Sequence, residues 1–333
     1  MSLQEKINNH TTFTEAQIRD IIAERLGSAN VPKKVKITTD TSDYFKVDYD
    51  DIVVLGGKPY LIRHNQKEGR FGIDEQPKFW VKKAIDLTTG STKIIKLTFL
   101  ERFTAKIGDI SFDCFRSPQK EARILDIVRG DRRFMQGFSV QDAAGNVVRV
   151  LDFITGKTFA DYVITLGKDH EDYFYNFLPR VLDEYIDLIN AINFIHKHEE
   201  KHGDIRRDHI LRDKATGVNI WIDFDFNYIH RENMFGYDLF GLGNILAYIV
   251  ARGEVTIQEL KNREDTIFAS LDKSDMNIIF NYRVANLRKV YPYIPEPLNM
   301  VLLHFSTGAS VFYDNTEQFL NDLEEARQSL ERH

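Results

Sequence analysis

The hydrophobic pattern of this 333-residue chain changes period once, between Ile154 and Thr158, and that single change limits the architectures open to it. Upstream, short β-rich runs are separated by turn signals. Asp51–Leu55 and Pro59–Arg63 flank Gly56-Gly57, and Lys78–Leu87 and Lys93–Phe99 flank Thr88-Thr89-Gly90-Ser91, so each pair predicts a hairpin. Downstream, Leu178, Val181, Leu182, Tyr185, Ile186, Ile189, Ile192 and Ile195 recur at helical spacing, as one face of a long amphipathic helix requires. Strands gathered in one half and helices in the other predict an α+β chain rather than alternating parallel βαβ units.

Smaller elements fill in the first half. Thr14–Leu26 predicts a capped helix, Lys34–Thr38 and Tyr44–Val47 predict strands, and Ser117-Pro118 opens a helix through Val128. Strands over Phe138–Gln141 and Val147–Ile154 join at Ala144-Gly145-Asn146. In the second half a strand over Val218–Ile222 precedes a buried helix over Asp238–Val250. The remainder reads as helical, ending in Thr316–Leu330. Lys82 and Lys83 read as a solvated strand face. The expected organisation is an N-terminal extension over 1–57, a sheet-rich lobe over 58–154 and a helical lobe over 155–333.

With 43% hydrophobic and 28% charged residues, the chain has enough apolar material for a sizeable core. A net charge of −6 lacks the basic footprint of a duplex-binding protein, so no nucleic-acid partner is expected. The longest apolar stretch, Leu242–Ala251, is too short to cross a bilayer, and no membrane partner is expected. The lone Cys114 rules out an intramolecular disulfide and fits a cytoplasmic location.

The residues with the most chemical content run from His202 to Leu211, His-Gly-Asp-Ile-Arg-Arg-Asp-His-Ile-Leu, between the long helix and the strand ending Ile222-Asp223-Phe224-Asp225. Asp204 and Asp223 are 19 positions apart, and a hairpin around Asp213–Gly217 would bring them together. Two convergent carboxylates can serve a metal and a nucleophile at once. Asp225 offers an alternative ligand.

This segment resembles the catalytic loop of the protein-kinase-like superfamily, His-x-Asp followed after four residues by Asn, and its His-Gly-Asp form is similar to atypical and aminoglycoside-kinase-like members. The resemblance implies a two-lobed fold that binds ATP and Mg2+ and transfers the γ-phosphoryl group to a hydroxyl acceptor, in the manner of a serine/threonine kinase. It implies that Asp204 is the catalytic carboxylate, that Asp223 binds metal, and that Arg206 contacts the transferred group. His209 stands where the family has its second metal-binding Asn. An imidazole suits borderline metals better than magnesium. Asp238, opening Asp-Leu-Phe-Gly-Leu-Gly, resembles the family's buried aspartate that braces the catalytic-loop backbone.

Upstream, Glu68-Gly69-Arg70-Phe71-Gly72-Ile73 resembles the latter part of a glycine-rich phosphate loop, with Lys67 in place of its first glycine. Lys96 resembles the strand lysine that contacts the α- and β-phosphates, Glu121 its helix partner, and Phe153 the start of the segment that binds adenine. The segment between Asp223 and Asp238 has only 14 residues and no Ser or Thr. Activation by serine or threonine phosphorylation is therefore not expected there. The short segment also keeps a small-molecule acceptor open beside a protein one. Altered motifs keep a second alternative open, a pseudokinase that acts as a binding or scaffolding module.

Overall fold

The computed structural model describes residues 12–70, 73–107, 110–230, 233–262 and 266–330. In chain order its principal elements begin with α1 (Glu15–Leu26), β1 (Ile37–Thr38), β2 (Ile52–Leu55), β3 (Lys58–Arg70), β4 (Ile73–Asp86), β5 (Thr92–Lys96), β6 (Arg102–Ile107) and β7 (Ile110–Arg116). Then come α2 (Pro118–Ile127), β8 (Gly137–Gln141), β9 (Val147–Asp152), β10 (Gly156–Thr158), α3 (Phe159–Val163), α4 (His170–Asn176) and α5 (Leu178–Lys197). The order closes with β11 (Ile210–Asp213), β12 (Asn219–Trp221), β13 (Phe226–Ile229), α6 (Gly236–Ala251), α7 (Ile257–Asn262), α8 (Glu296–Leu303) and α9 (Thr316–Ser329).

The chain forms two compact units. The first comprises the described residues up to Leu100 together with Pro118–Gly130 and Met135–Ile154; the second comprises Glu101–Ser117, Asp131–Phe134 and the residues from Thr155 onward.

The first unit is built on a seven-stranded sheet of order β1-β2-β3-β4-β5-β9-β8, antiparallel except for the β1–β2 pair. All four residues of β2, Ile52-Val53-Val54-Leu55, are buried because both faces of the sheet are covered there. Ile52 and Val54 meet Ile18, Ile21 and Ile22 of α1, while Val53 and Leu55 pack with Tyr60, Ile62, Ile95 and Val150. A strand buried on both sides reads as a continuous apolar run. The segment expected as an N-terminal extension thus contributes α1, β1 and β2 to the same unit as the later strands. Helix α1 begins at a reciprocal cap: Thr14 Oγ1 accepts from Gln17 N at 3.3 Å, and Gln17 Oε1 accepts from Thr14 N at 2.8 Å.

Several expectations are corrected. Tyr44–Lys46 is a 3-10 turn rather than a strand, set by Asp43, whose carboxylate accepts from Phe45 N at 3.1 Å. The strand expected over Lys34–Thr38 shrinks to Ile37–Thr38. Lys82 is buried, not solvated: its Nζ donates to Val47 O at 2.5 Å and to Asn65 Oδ1 at 2.7 Å.

In the second unit α5 buries the expected face, with Leu188 fully buried and Ile186 only half-buried. Tyr185 on this helix donates to Leu242 O at 2.6 Å, tying it to α6, which is buried around most of its circumference. The stretch between α7 and α8 contains only short 3-10 turns among its described residues, against the expectation of helix. Side chains there cap turns instead, as Asp272 does in accepting from Ser274 N at 2.7 Å, and Pro292 and Pro295 interrupt any longer helix.

Two small sheets complete the second unit, and of their pairings only the β11–β12 hairpin was expected. One joins β10, β11 and β12; the other joins β13, β7 and β6 in that order, all antiparallel. Among the described residues no helix is long and apolar enough to cross a membrane.

Burial lowers the Lys82 ammonium to about 8, against the partial support of Asp48 and Asp51. The unfolded lysine keeps its proton to a higher pH. Between pH 8 and the usual lysine range the unfolded chain therefore binds more protons, and stability should rise with pH. Denaturant unfolding at pH 7.5 and 9.5 should show this rise in the wild type and a smaller one in Lys82→Met. Equal slopes would mean that Lys82 keeps its proton in the folded protein.

Candidate functional site

The second unit holds the two predicted carboxylates together, and the local sequence explains how. Helix α5 ends at Lys197, and the chain then passes through His202-Gly203-Asp204 to a short 3-10 turn at Arg207–His209. Strands β11 and β12 form the predicted hairpin, with Ile210 opposite Trp221 and Arg212 opposite Asn219. The fold back returns the chain to the starting loop: Ile222 N donates to His209 O at 3.0 Å. Asp223 follows immediately, with φ of 69°, a left-handed conformation that aspartate tolerates better than most side chains.

The backbone of the loop that carries Asp204 is held by Asp238 at the start of α6. Its Oδ2 accepts from His202 N at 2.7 Å and its Oδ1 from Gly203 N at 2.9 Å, while His196 Nε2 lies 3.0 Å from Oδ2. This is the bracing role its resemblance implied. Burial raises the Asp238 carboxyl, but the hydrogen bond and charge of His196, aided by the Gly203 N–H, outweigh it and hold the group below the usual carboxylate range. His196 is anchored in turn by Thr316 Oγ1, 2.7 Å from its Nδ1, and by stacking on Phe235 at 4.0 Å between centroids.

Between Asp204 and Asp223 stands His209. Its Nδ1 lies 2.7 Å from the Asp204 carbonyl oxygen, which can only accept, so Nδ1 carries a hydrogen. Its Nε2 is 3.5 Å from Asp223 Oδ2, and Nδ1 is 3.7 Å from Asp204 Oδ2. One buried imidazole thus lies against both carboxylates. Asp204 and Asp223 keep 16% and 12% of their side chains exposed, enough to face a ligand. Burial pushes the Asp204 carboxyl up, and Asp223 adds to this, while His209 and Arg206 work against it. Arg206 lies on Asp208, with Nε 3.0 Å from Oδ1 and NH2 2.6 Å from Oδ2.

Asp225, the alternative metal ligand, is committed elsewhere. It is buried, and Arg116 NH1 of β7 donates to its Oδ1 at 2.7 Å. Sequence reasoning missed this partner because it lies 109 positions away.

In the first unit Lys96 ends β5, and its Nζ donates to Glu121 Oε1 of α2 at 2.8 Å, with both side chains almost wholly buried. Glu121 has a second cation: Arg149 Nε of β9 donates to Oε2 at 2.9 Å. Arg149 was overlooked, though a charge inside Val147-Val148-Arg149-Val150-Leu151 signals an inward-facing arginine in need of a partner. Gly69 lies in β3, and Gly72 lies outside the described residues. Phe153 follows β9, its ring centroid 4.0 Å from Lys83 Nζ.

No family model matches the chain. The SNF1-like protein kinase ssp2 of Schizosaccharomyces pombe is 25% identical over 197 residues, 59% of this chain and 30% of its own length. The carbon catabolite-derepressing protein kinase of Candida albicans is 26% identical over 176 residues, 53% of this chain and 25% of its own. The chain therefore spans less than a third of these relatives. The solved structure of the Cydia pomonella granulovirus kinase PK-1 superposes with a TM-score of 0.50 at 11% identity, covering 79% of this chain and 93% of that one. The chain has a protein-kinase-like fold. Its antiparallel sheet unit carries the Lys96–Glu121 pair, and its helical unit carries the Asp204–His209–Asp223 group.

The resemblance to protein kinases would imply an arginine at position 203, and the structure gives a reason for the glycine found there. Its φ is 87°, and a Cβ placed there would sit 2.0 Å from Phe226 O of β13. Gly203→Ala should add about 1–2 kcal/mol of left-handed backbone strain and force β13 away as well. Thermal unfolding should show a clear loss of stability, and an unchanged melting temperature would mean that β13 does not press on this loop.

Proposed function

We propose that the chain is an ATP-dependent phosphotransferase of protein-kinase-like type that transfers a γ-phosphoryl group to a hydroxyl acceptor. The observation that carries this reading is the convergence of Asp204 and Asp223 on the single imidazole of His209. The similarity to two protein kinases supports the same class of chemistry.

Phosphoryl transfer depends on positioning and charge neutralisation more than on covalent chemistry by the protein. Asp204 is the residue to orient the acceptor hydroxyl and receive its proton. Its raised pKa brings it closer to working pH, as a proton acceptor requires. Lys96, oriented by Glu121, is the cation for the α- and β-phosphates. Asp223, with His209 Nε2 beside it, is the carboxylate that would hold magnesium, which would neutralise charge on the phosphates. The residues present suit that ion: magnesium takes one or two protein carboxylates and completes its shell with phosphates and water. Among the described residues no cluster of three or more His, Cys, Asp or Glu could hold a metal unaided.

The acceptor is a protein or a small molecule bearing a hydroxyl. A second reading, a pseudokinase that binds nucleotide as a scaffold, is favoured by the position of His209, whose ring occupies space between the two carboxylates. A cytoplasmic setting is part of the proposal and rests on the lone Cys114, which is buried and has no second cysteine to pair with.

Two measurements test the proposal. Thermal unfolding with ATP and magnesium should show stabilisation in the wild type. Asp204→Ala should keep that shift, and Asp223→Ala should lose its magnesium-dependent part. Transfer of labelled γ-phosphate to acceptor or water should fall at least about a hundredfold in Asp204→Ala. A stabilised wild type that transfers nothing would favour the scaffold reading, and full turnover by Asp204→Ala would end the assignment.

A further inference from the structure

We propose that the hairpin β6–β7 is a built-in clamp that fixes the loop carrying Asp223, and that Arg116 is its positioning residue. This rests on the phosphotransferase reading above for its consequence but not for its geometry. In sequence the hairpin lies between Lys96 and Glu121, yet it belongs to the helical unit. Strand β7 pairs with β13 from Phe226 opposite Arg116 to Ile229 opposite Asp113.

Three contacts, two of them from the Arg116 guanidinium, converge on the residues just after Asp223. Arg116 NH1 donates to Asp225 Oδ1 at 2.7 Å, with both side chains buried. The same guanidinium lies 3.9 Å from the centroid of the Phe226 ring, and its Nε donates to Glu101 Oε2 at 2.9 Å. Ser117 N donates to Asp225 O at 2.6 Å. From the opposite side, Gly203 of the loop that carries Asp204 leaves the space in which Phe226 O sits. Asp225 is therefore gripped through side chain and carbonyl, and Phe226 lies between β7 and Gly203.

The consequence is that residues 223–229 need no modification to hold their shape. The segment from Asp223 to Asp238 has no Ser or Thr, and no arginine stands at position 203 to receive a phosphate. Tyr228, a hydroxyl in the segment, is buried, with its ring 5.9 Å from Phe112 of β7. The clamp supplies within the chain the ordering that a phosphate would otherwise provide.

Hydrogen exchange on the nucleotide-free protein tests the clamp. In Asp225→Asn, which keeps the size of the side chain, and in Arg116→Met, peptides spanning 222–229 should exchange about tenfold faster or more. Peptides from α5 and α6 should keep wild-type protection. Arg116→Lys should restore part of the protection. In the same variants half-maximal stabilisation by ATP should need several times more magnesium, with Lys96 and Glu121 untouched. Should Arg116→Met not fold, Asp225→Asn decides alone. Unchanged exchange over 222–229 in folded Asp225→Asn would overturn the proposal. A wild type with no nucleotide response would end the phosphotransferase reading while leaving the exchange result to judge the clamp.

Discussion

The geometry of the helical unit's candidate site depends on one buried carboxylate. Asp238 binds two consecutive backbone N–H groups, from His202 and Gly203, and the ring of His196. A loop carrying an exposed chemical group has few apolar contacts of its own to fix it, and a buried charge left without partners is costly. Here each need answers the other. The loop's amides satisfy the carboxylate, and the carboxylate sets where Asp204 leaves the backbone. Because Asp238 begins α6, and α6 is held against α5 by Tyr185, the position of Asp204 is inherited from the packing of two long helices.

The second carboxylate is placed by different means. Asp223 arrives at the end of a short hairpin whose strands have only four and three residues, and it takes a left-handed backbone conformation. Short strands and strained dihedrals do not hold themselves. Its neighbours on either side are therefore heavily tied: Ile222 to His209, Asp225 to Arg116 and Ser117, Phe226 to β7. His209 then stands between the two acids with its Nδ1 hydrogen given to the Asp204 carbonyl. The ring's other nitrogen is left facing Asp223, the only orientation consistent with that donor.

Much of this was legible in the sequence, and the remainder was hidden for a physical reason. The period change, the Gly56-Gly57 hairpin, the long helix and the β11–β12 return are local signals, and the structure contains each of them. The pairing of Lys96 with Glu121 followed from the resemblance and is present at 2.8 Å. The β6–β7 hairpin was missed even though buried Phe112, Cys114 and Arg116 alternate with exposed Ser111 and Asp113 and half-buried Phe115. An arginine at an inward position looks like the end of a strand until its anion is known, and that anion is far along the chain. The 3-10 turn at Tyr44–Lys46 shows the opposite error: β-favouring residues lost to a single aspartate that captured the backbone.

The carboxylate of Glu121 is shared between Lys96 and Arg149, one oxygen to each. A carboxylate with a single cation would be stranded in the core by the loss of that cation. With two, the scaffold keeps a neutralised interior even when the lysine disappears. The architecture can thus outlive its chemistry: a descendant that abandoned phosphate contact at position 96 would still fold, leaving a stable surface for other duties.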